Sequence, residues 1–598
     1  MVQSVRRSQF ITTYGPGAIL EGPDGPKIIS TLGLSGLFAN HRPGDFEVTD
    51  QRLSTALLND ARILRLPSNA DLGRPDGYAI YSTGRFPTWS LCVGHGVDGI
   101  LYRKRSGDNV SCPRCPQAPD SYASWRQAKR QAIRFIKACP VGHLDDVSWD
   151  RIIPHNSPDC RPGHLVWRGS GAALRHVQIV CPACGGNVNL GHAYSREWDC
   201  SGRFPELGNQ QQLGGCDRKA KIIQRGAANL YLPDIKAAVT IPPRSTPIHR
   251  ILEAHNIQSV LRTNRFNSYG ELMAALRVLE QSGLVSGRIV LELGSTNGEA
   301  VMLAVNDLLT RQEPRTVEEL KLEEFEALQH AAQNGHPRLR STNRGLVDQF
   351  EVIKENVRTI VGPGGQPLRV TPLNRLRVVM VQTGYRRLEA INPLVDRAYE
   401  DEQGTRWYPG VELLGEGIFI DIAPPVNGSQ TTALSGSVAS GWNSAWADPV
   451  GWRQNTTLEH ADHLNPVFVW WHTFAHRLIN ALAIDSGYSS ASIRERIYVS
   501  IDPQTRVASG GILLYTSQPG GDGTLGGLVA LVPEFEMVLD AALRDVHTCS
   551  NDPLCFEERF DRGKSNGPAC YACLLVSETS CEHRNMLLDR ALLLENLP

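Results

Sequence analysis

The sequence predicts a multidomain α+β protein. It has a cysteine-knuckle-rich N-terminal part, a helical middle region and a mixed α/β C-terminal domain that ends in a second cysteine cluster. Three observations lead there. The chain has 598 residues, too many for one hydrophobic core, so about two to four domains are expected. Nine of its 14 cysteines lie between Cys92 and Cys216, and the other five between Cys549 and Cys581. The hydrophobic pattern changes near residues 245 and 340, which divides the chain into 1–245, 246–340 and 341–598.

Residues 1–90 hold short apolar runs between Gly/Pro breaks, such as Ala79-Ile80-Tyr81, and read as strands and loops. In the middle region Ile248–Leu252 and Leu272–Leu279 carry helix-period apolar positions. Thr316-Val317-Glu318-Glu319 is a capping box that opens a helix to about Ala332, with Leu320, Phe325 and Leu328 on its inner face. Glu318, Glu319, Glu323, Glu324 and Glu326 give that helix an acidic side, read as a solvated face with a dock for a basic partner as the alternative. Further on, 417–422, 497–501 and 511–515 read as strands. Val469-Trp470-Trp471 leads into a helix to about Ala483, and Cys581 opens a terminal helix carrying Leu587, Leu588, Ala591 and Leu592.

Apolar content of 41% and charged content of 21% fit a water-soluble chain. No apolar run approaches the ~18 residues of a membrane span. The opening Met1-Val-Gln-Ser-Val-Arg-Arg leads into no apolar signal core, so a cytoplasmic protein with no membrane partner is expected. In a reducing compartment, clustered CxxC pairs read as metal ligands rather than disulfides.

A CxxC pair on a tight turn aims two thiolates at one point, and two more ligands complete a tetrahedral zinc site. Three such pairs occur: Cys112/Cys115, Cys181/Cys184 and Cys570/Cys573. Cys92 and His95 are near enough in sequence to join Cys112 and Cys115. Cys139/His143 and Cys160/His164, both CxxxH, form a candidate Cys2His2 set, with buried cysteines and core histidines as the alternative. Cys181, Cys184, Cys200 and Cys216 make a four-thiolate set. In the late cluster Cys549, Cys555, Cys570 and Cys573 are favoured, and Cys581 is able to replace Cys549. Three to four Zn2+ ions are therefore expected.

Charge is unevenly spread. Residues 1–245 carry 30 Lys+Arg against 20 Asp+Glu, a net of +10; residues 246–598 carry 31 against 42, a net of −11. The first part suits an anionic partner, or the two parts attract one another. Within it, a helix from Ser121 to about Ala132 would line up Arg126, Lys129, Arg130 and Arg134 as a phosphate-contacting stripe beside Trp125. A strand from Arg134 to Ala138 would break that stripe.

Catalytic motifs fail on inspection. His472-Thr-Phe-Ala-His476 has helix spacing, but the general-base Glu of a zinc protease is replaced by Thr473, so these read as core histidines. His460 and His463 nearby leave a metal pocket as a minor alternative. Gly563-Lys564-Ser565 ends like a nucleotide-binding loop, but the first glycine position holds Glu558. The glycine-rich stretch Gly520–Gly527 reads as a close-packing turn before an anion cradle.

Several ordered motifs carry a resemblance over nearly the whole chain. They are RRSQFITTYGPGAIL at the start, the CPVGH and CPACG knuckles, HTFAHRLINALAIDSGYSSASIRERIY, GGILLYTSQPGGDGTLGGL, and NDPLC followed by CYACLLVSETSCEHRNMLLDR. Together they resemble the DrmB family, the helicase-associated component of the bacterial DISARM anti-phage system. The last segment is also similar to the C-terminal domain of MrfA-type DNA-repair helicases. The resemblance implies a superfamily 2 helicase partner, DrmA, which supplies the ATPase motors. It further implies recognition of DNA with single-stranded character and restriction of foreign DNA. The expectation is a non-catalytic, zinc-stapled subunit. The rivals are a metal-dependent nuclease using the 460–476 histidines and a scaffold that never touches DNA.

Overall fold

The computed structural model describes residues 5–594 apart from 23–24, 35–36, 38–40, 94, 96–97, 104–111, 116–131, 170–172, 211–214, 339–347, 364, 390–391, 424–465, 502–507, 519–525 and 559–565. Among these residues it mixes helices with four sheets, as the α+β reading expected. Two compact units emerge, each discontinuous in sequence. The first comprises 1–47, 62–236 and 381–411; the second comprises 48–61, 237–380 and 412–598. The sequence-based divisions at 245 and 340 do not coincide with them. The long strands Pro367–Arg386 and Arg406–Ile422 each run from one unit into the other, and a window of local hydrophobicity has no means of seeing that.

The first unit is made of small antiparallel sheets. One has the order Asn187–Asn189, Gln178–Val180, Leu165–Arg168, Asp98–Arg103, Trp89–Cys92, and another the order Glu197–Cys200, Cys216–Gln224, Phe135–Ala138, Leu144–Asp146. Trp149, Trp167, Phe135 and Ile179 fill the space beside them. Residues 1–90 are not only strands and loops: Arg7–Thr12 is a helix and Ala79–Tyr81 is irregular. Ala132 forms an extended bridge with Ser90, so the expected helix from Ser121 does not reach it. Arg387 is fully buried and donates to the carbonyls of Gly142, Leu230 and Gly17 at 2.8–2.9 Å. A buried guanidinium with satisfied donors pins three separate loops.

In the second unit Pro247–Leu252, His255–Thr263, Tyr269–Gln281, Gly287–Gly294, Gly298–Thr310 and Val317–Asn334 are helical. Thr316 caps the last of these by accepting from the Glu319 amide, and Leu320, Phe325 and Leu328 are buried. Its acidic side is not uniformly solvated. Glu324 is fully buried and accepts from Arg496 Nε at 2.5 Å, the Tyr498 hydroxyl at 3.0 Å and the Val239 amide at 2.9 Å.

The strand Ile493–Ile501 explains this. Its residues alternate faces: Arg496 and Tyr498 meet Glu324, while Ile493 and Ile497 join the core around Trp470, Phe474 and Leu478. That core belongs to the helix Pro466–Asp485, which starts six residues before His472 and packs on the strands Ile493–Ile501 and Ala508–Gln518. The terminal helix is only Arg590–Leu594, because Arg584, Asn585 and Leu587 adopt left-handed backbone.

Removing one partner of a buried ion pair strands the other charge. Glu324→Ala is therefore expected to lower stability by about 3–5 kcal/mol, and Glu324→Ala with Arg496→Met to recover part of that loss. Thermal melts of the two variants check this.

Candidate metal centres

Four groups of cysteine and histidine donors converge, each with its four ligand atoms within 4.8 Å of one another. All of their cysteines are unbridged. The recorded Sγ–Sγ distances run from 3.4 to 3.8 Å. A disulfide needs about 2.05 Å, whereas a tetrahedron with Zn–S near 2.3 Å has edges of about 3.8 Å.

The first centre is Cys92, His95, Cys112 and Cys115. Cys92 ends the strand Trp89–Cys92, His95 lies in the connection to Asp98–Arg103, and Cys112/Cys115 occupy a tight turn. His95 Nε2 stands 3.2 Å from Cys112 Sγ and 3.4 Å from Cys115 Sγ, and Cys92 Sγ is 3.7 Å from Cys115 Sγ.

The next two centres exchange the partners that sequence proximity suggested. Cys139 and His143 join Cys200 and Cys216, not Cys160 and His164. The sheet is the reason. Cys216–Gln224 pairs on one side with Glu197–Cys200, where Cys200 faces Cys216, and on the other with Phe135–Ala138, whose end delivers Cys139. His143 Nδ1 lies 3.4 Å from Cys139 Sγ and 3.5 Å from Cys200 Sγ. The intervening Gly142 has φ 92°, and a Cβ there would lie 2.2 Å from Val395 Cγ2, so the knuckle requires glycine.

Cys181 and Cys184 meet Cys160 and His155, a histidine that the sequence reading did not single out. Its only sequence cue is lying five residues before Cys160, outside any CxxH or CxxxH spacing. The His155 ring bonds to the Asp150 carbonyl through Nε2 at 2.7 Å, which leaves Nδ1 facing Cys184 Sγ at 3.3 Å. A carbonyl behind a ligating imidazole fixes its tautomer and orientation. The His155 ring, together with the backbone amides of Gly186 and Asn156, draws the Cys184 thiol down to about 6, which favours the thiolate. His164 belongs to none of these groups; its Nε2 is buried without a hydrogen-bond partner.

The fourth centre is Cys549, Cys555, Cys570 and Cys573. Cys549 Sγ lies 3.4 Å from Cys570 Sγ, and Cys555 Sγ 3.8 Å from Cys573 Sγ. Backbone amides of Asn551 and Cys570 donate to Cys549 Sγ and Cys573 Sγ at 3.4 and 3.3 Å, as thiolate ligands require. Cys581 does not take the place of Cys549; it lies beside His472, His476 and Glu495.

Of the basic stripe, Arg126, Lys129 and Arg130 lie outside the described residues. Arg134 is exposed, immediately before the strand Phe135–Ala138, with its guanidinium 5.2 Å from the Phe135 ring centre. It is not on a helix. Also outside the described residues are His460, His463, residues 520–525 of the glycine-rich stretch, and Gly563-Lys564-Ser565.

Known proteins resemble this chain in the same places. Residues 6–232 match a domain of unknown function (DUF8724), and residues 474–574 match the MrfA Zn-binding domain, which takes in the fourth centre. The chain is 28% identical over 507 residues to the DISARM protein DrmB of Bacillus paralicheniformis, covering 81% of this chain and 83% of that protein. The resemblance read from the motifs is thus matched over 81% of the chain. The donor tetrads, one of them inside a zinc-binding domain, fit several zinc ions.

Because binding needs deprotonated donors, zinc should be released as pH falls. The pairing is tested by Cys200→Ser, which is expected to remove one zinc and leave the Cys160/Cys181 centre loaded. Structural zinc contributes on the order of 10 kcal/mol in small domains, so Cys181→Ser or Cys573→Ser should give partly unfolded protein. Metal analysis and melting of each variant check both statements.

Proposed function

We propose that this chain is a zinc-stapled, non-catalytic subunit of a DISARM-type anti-phage complex. It docks a superfamily 2 helicase of the DrmA type and helps hold DNA. The observation that carries this reading is the similarity to DISARM protein DrmB over 81% of the chain. The centres support the non-catalytic part. Each of the four Cys-rich groups offers four protein donors, and a zinc site closed in that way is structural, whereas a catalytic one keeps an open position. His472 and His476, the histidines a nuclease reading would use, have no solvent exposure. No described helix is long and apolar enough to cross a membrane.

DNA affinity is assigned to residues 1–245, with their net +10, and to phosphate contacts that include Arg126, Lys129, Arg130 and Arg134. Phosphate contacts release counterions, so binding weakens steeply with salt and shows little sequence preference. Co-purification with the neighbouring helicase, followed by a DNA titration at several salt concentrations, tests the proposal. Arg126→Glu, Arg130→Glu and Arg134→Glu combined should weaken binding and flatten the log–log salt slope by about one per lost duplex contact. An unaltered slope in a folded triple variant removes these residues from the interface. The chain alone should hydrolyse no ATP, while its addition should change the helicase's DNA-stimulated ATPase. Sustained hydrolysis by the purified chain, unaffected by Lys564→Ala, would reveal a nucleotide site elsewhere.

A further inference from the structure

We propose that His472, His476, Glu495 and Cys581 form a fifth metal site, fully buried, that takes a divalent transition-metal cation, zinc by its donor chemistry. The sequence gives little hint of it, since the four residues span more than 100 positions and two of them read as core histidines. The fold brings them together. The i, i+4 spacing puts both rings on one face of the helix Pro466–Asp485. Strand alternation turns Glu495, with Ile493 and Ile497, toward that helix. Cys581 arrives from the C-terminal segment, which meets the strand where the Glu495 amide donates to the Ser580 carbonyl at 3.0 Å. One donor atom from each of the four lies within 4.8 Å of every other, and all four residues are buried.

The hydrogen bonds around the group point inward. His472 Nδ1 is bonded to the Leu587 carbonyl at 3.2 Å and His476 Nδ1 to the Leu574 carbonyl at 2.8 Å. Since a carbonyl only accepts, both Nδ1 atoms carry hydrogen, and both Nε2 atoms are left facing the carboxylate. They approach Glu495 oxygens at 2.9 and 3.3 Å. Yet His476 Nε2 and both Glu495 oxygens have no hydrogen-bond donor or acceptor satisfied in this arrangement. Lone pairs aimed at lone pairs among buried groups call for a positive centre between them. A lone imidazolium proton bridges one such contact and leaves the others unmatched.

Cys581 Sγ adds a third observation. It accepts from the amides of His583 and Asn585 at 3.3 and 3.2 Å and lies 3.2 Å from His472 Nε2. The same amide-to-sulfur bonds mark Cys200, Cys549 and Cys573 in the Cys-rich centres. Thiolate and carboxylate together bring two negative charges, which a divalent cation neutralises without solvent. Two imidazoles and a thiolate select a zinc-like ion over calcium or magnesium. With four protein donors, all on buried residues, the site is a structural one. It clamps the helix, the strand and the C-terminal segment. Through the Leu574 carbonyl, next to Cys573, it also adjoins the fourth centre. The match to the MrfA Zn-binding domain spans 474–574 and so leaves out His472 and Cys581.

The test is the zinc content of the full chain by native mass spectrometry, with zinc-edge anomalous diffraction to place each ion. The expected result is one ion for each of the five donor groups, a peak about 2.0–2.1 Å from both Nε2 atoms, and loss of one ion in Cys581→Ser. Cys581→Asp, which keeps an anionic ligand, should retain it. Peaks in the Cys-rich centres with none between His472 and Glu495 would overturn the proposal, even if Cys581→Ser fails to fold. Such a result would leave the zinc-stapled reading of the other four centres standing.

Discussion

Thiolate and imidazole donors hold the ends of the short strands in the first unit. Most of those strands are three to six residues long, and sheets of that size bury too little apolar surface to be stable by themselves. Trp149, Trp167 and Phe135 supply a local core, but the loops that close the sheets are rich in Gly and Pro and have little to bury. A tetrahedral ion whose ligands come from two loops fixes both at once, and its binding free energy is folding free energy. The second unit has a larger core around Trp470, Trp471 and Phe474. There, converging donors occur where the C-terminal segment, with little helix of its own, meets the helix Pro466–Asp485.

Buried charges do comparable work where no cysteine is available. Arg387 gives its guanidinium to three carbonyls, among them that of Gly142 inside the Cys139/His143 knuckle. Glu206 accepts from Arg397 at 2.7 Å and from the Tyr385 hydroxyl. Arg387, with its donors satisfied, specifies one arrangement of loops at modest net cost. The Glu324–Arg496 pair does the same between the helix Val317–Asn334 and the strand Ile493–Ile501. Glu495, one residue away on the opposite face, meets the two histidine rings rather than a guanidinium.

The functional reading draws on both levels. Closed donor tetrads describe a protein whose metals build a shape, and similarity to DISARM protein DrmB suggests what that shape serves. If, as proposed, the chain positions DNA beside a motor, rigid loops serve it better than a reactive centre. Phosphate recognition by arginines is compatible with that, since it requires charge at fixed places and no chemistry.

The sequence by itself determined the middle helices, the late strands and the CxxC pairs. Helix periodicity and the Thr316 cap marked the middle helices, because these signals are local in the chain. CxxC spacing identified Cys112/Cys115, Cys181/Cys184 and Cys570/Cys573 as ligand pairs, because both thiolates sit on one turn. Which pair meets which lay beyond it. Cys139 finds Cys200 and Cys216 only because Phe135–Ala138 and Glu197–Cys200 flank the same strand, and His155 enters only because the CPACG turn packs beside it. The buried meeting of His472, His476, Glu495 and Cys581 is the extreme case. Each residue looks ordinary in its own segment, and only tertiary packing removes the water and puts four donors around one point.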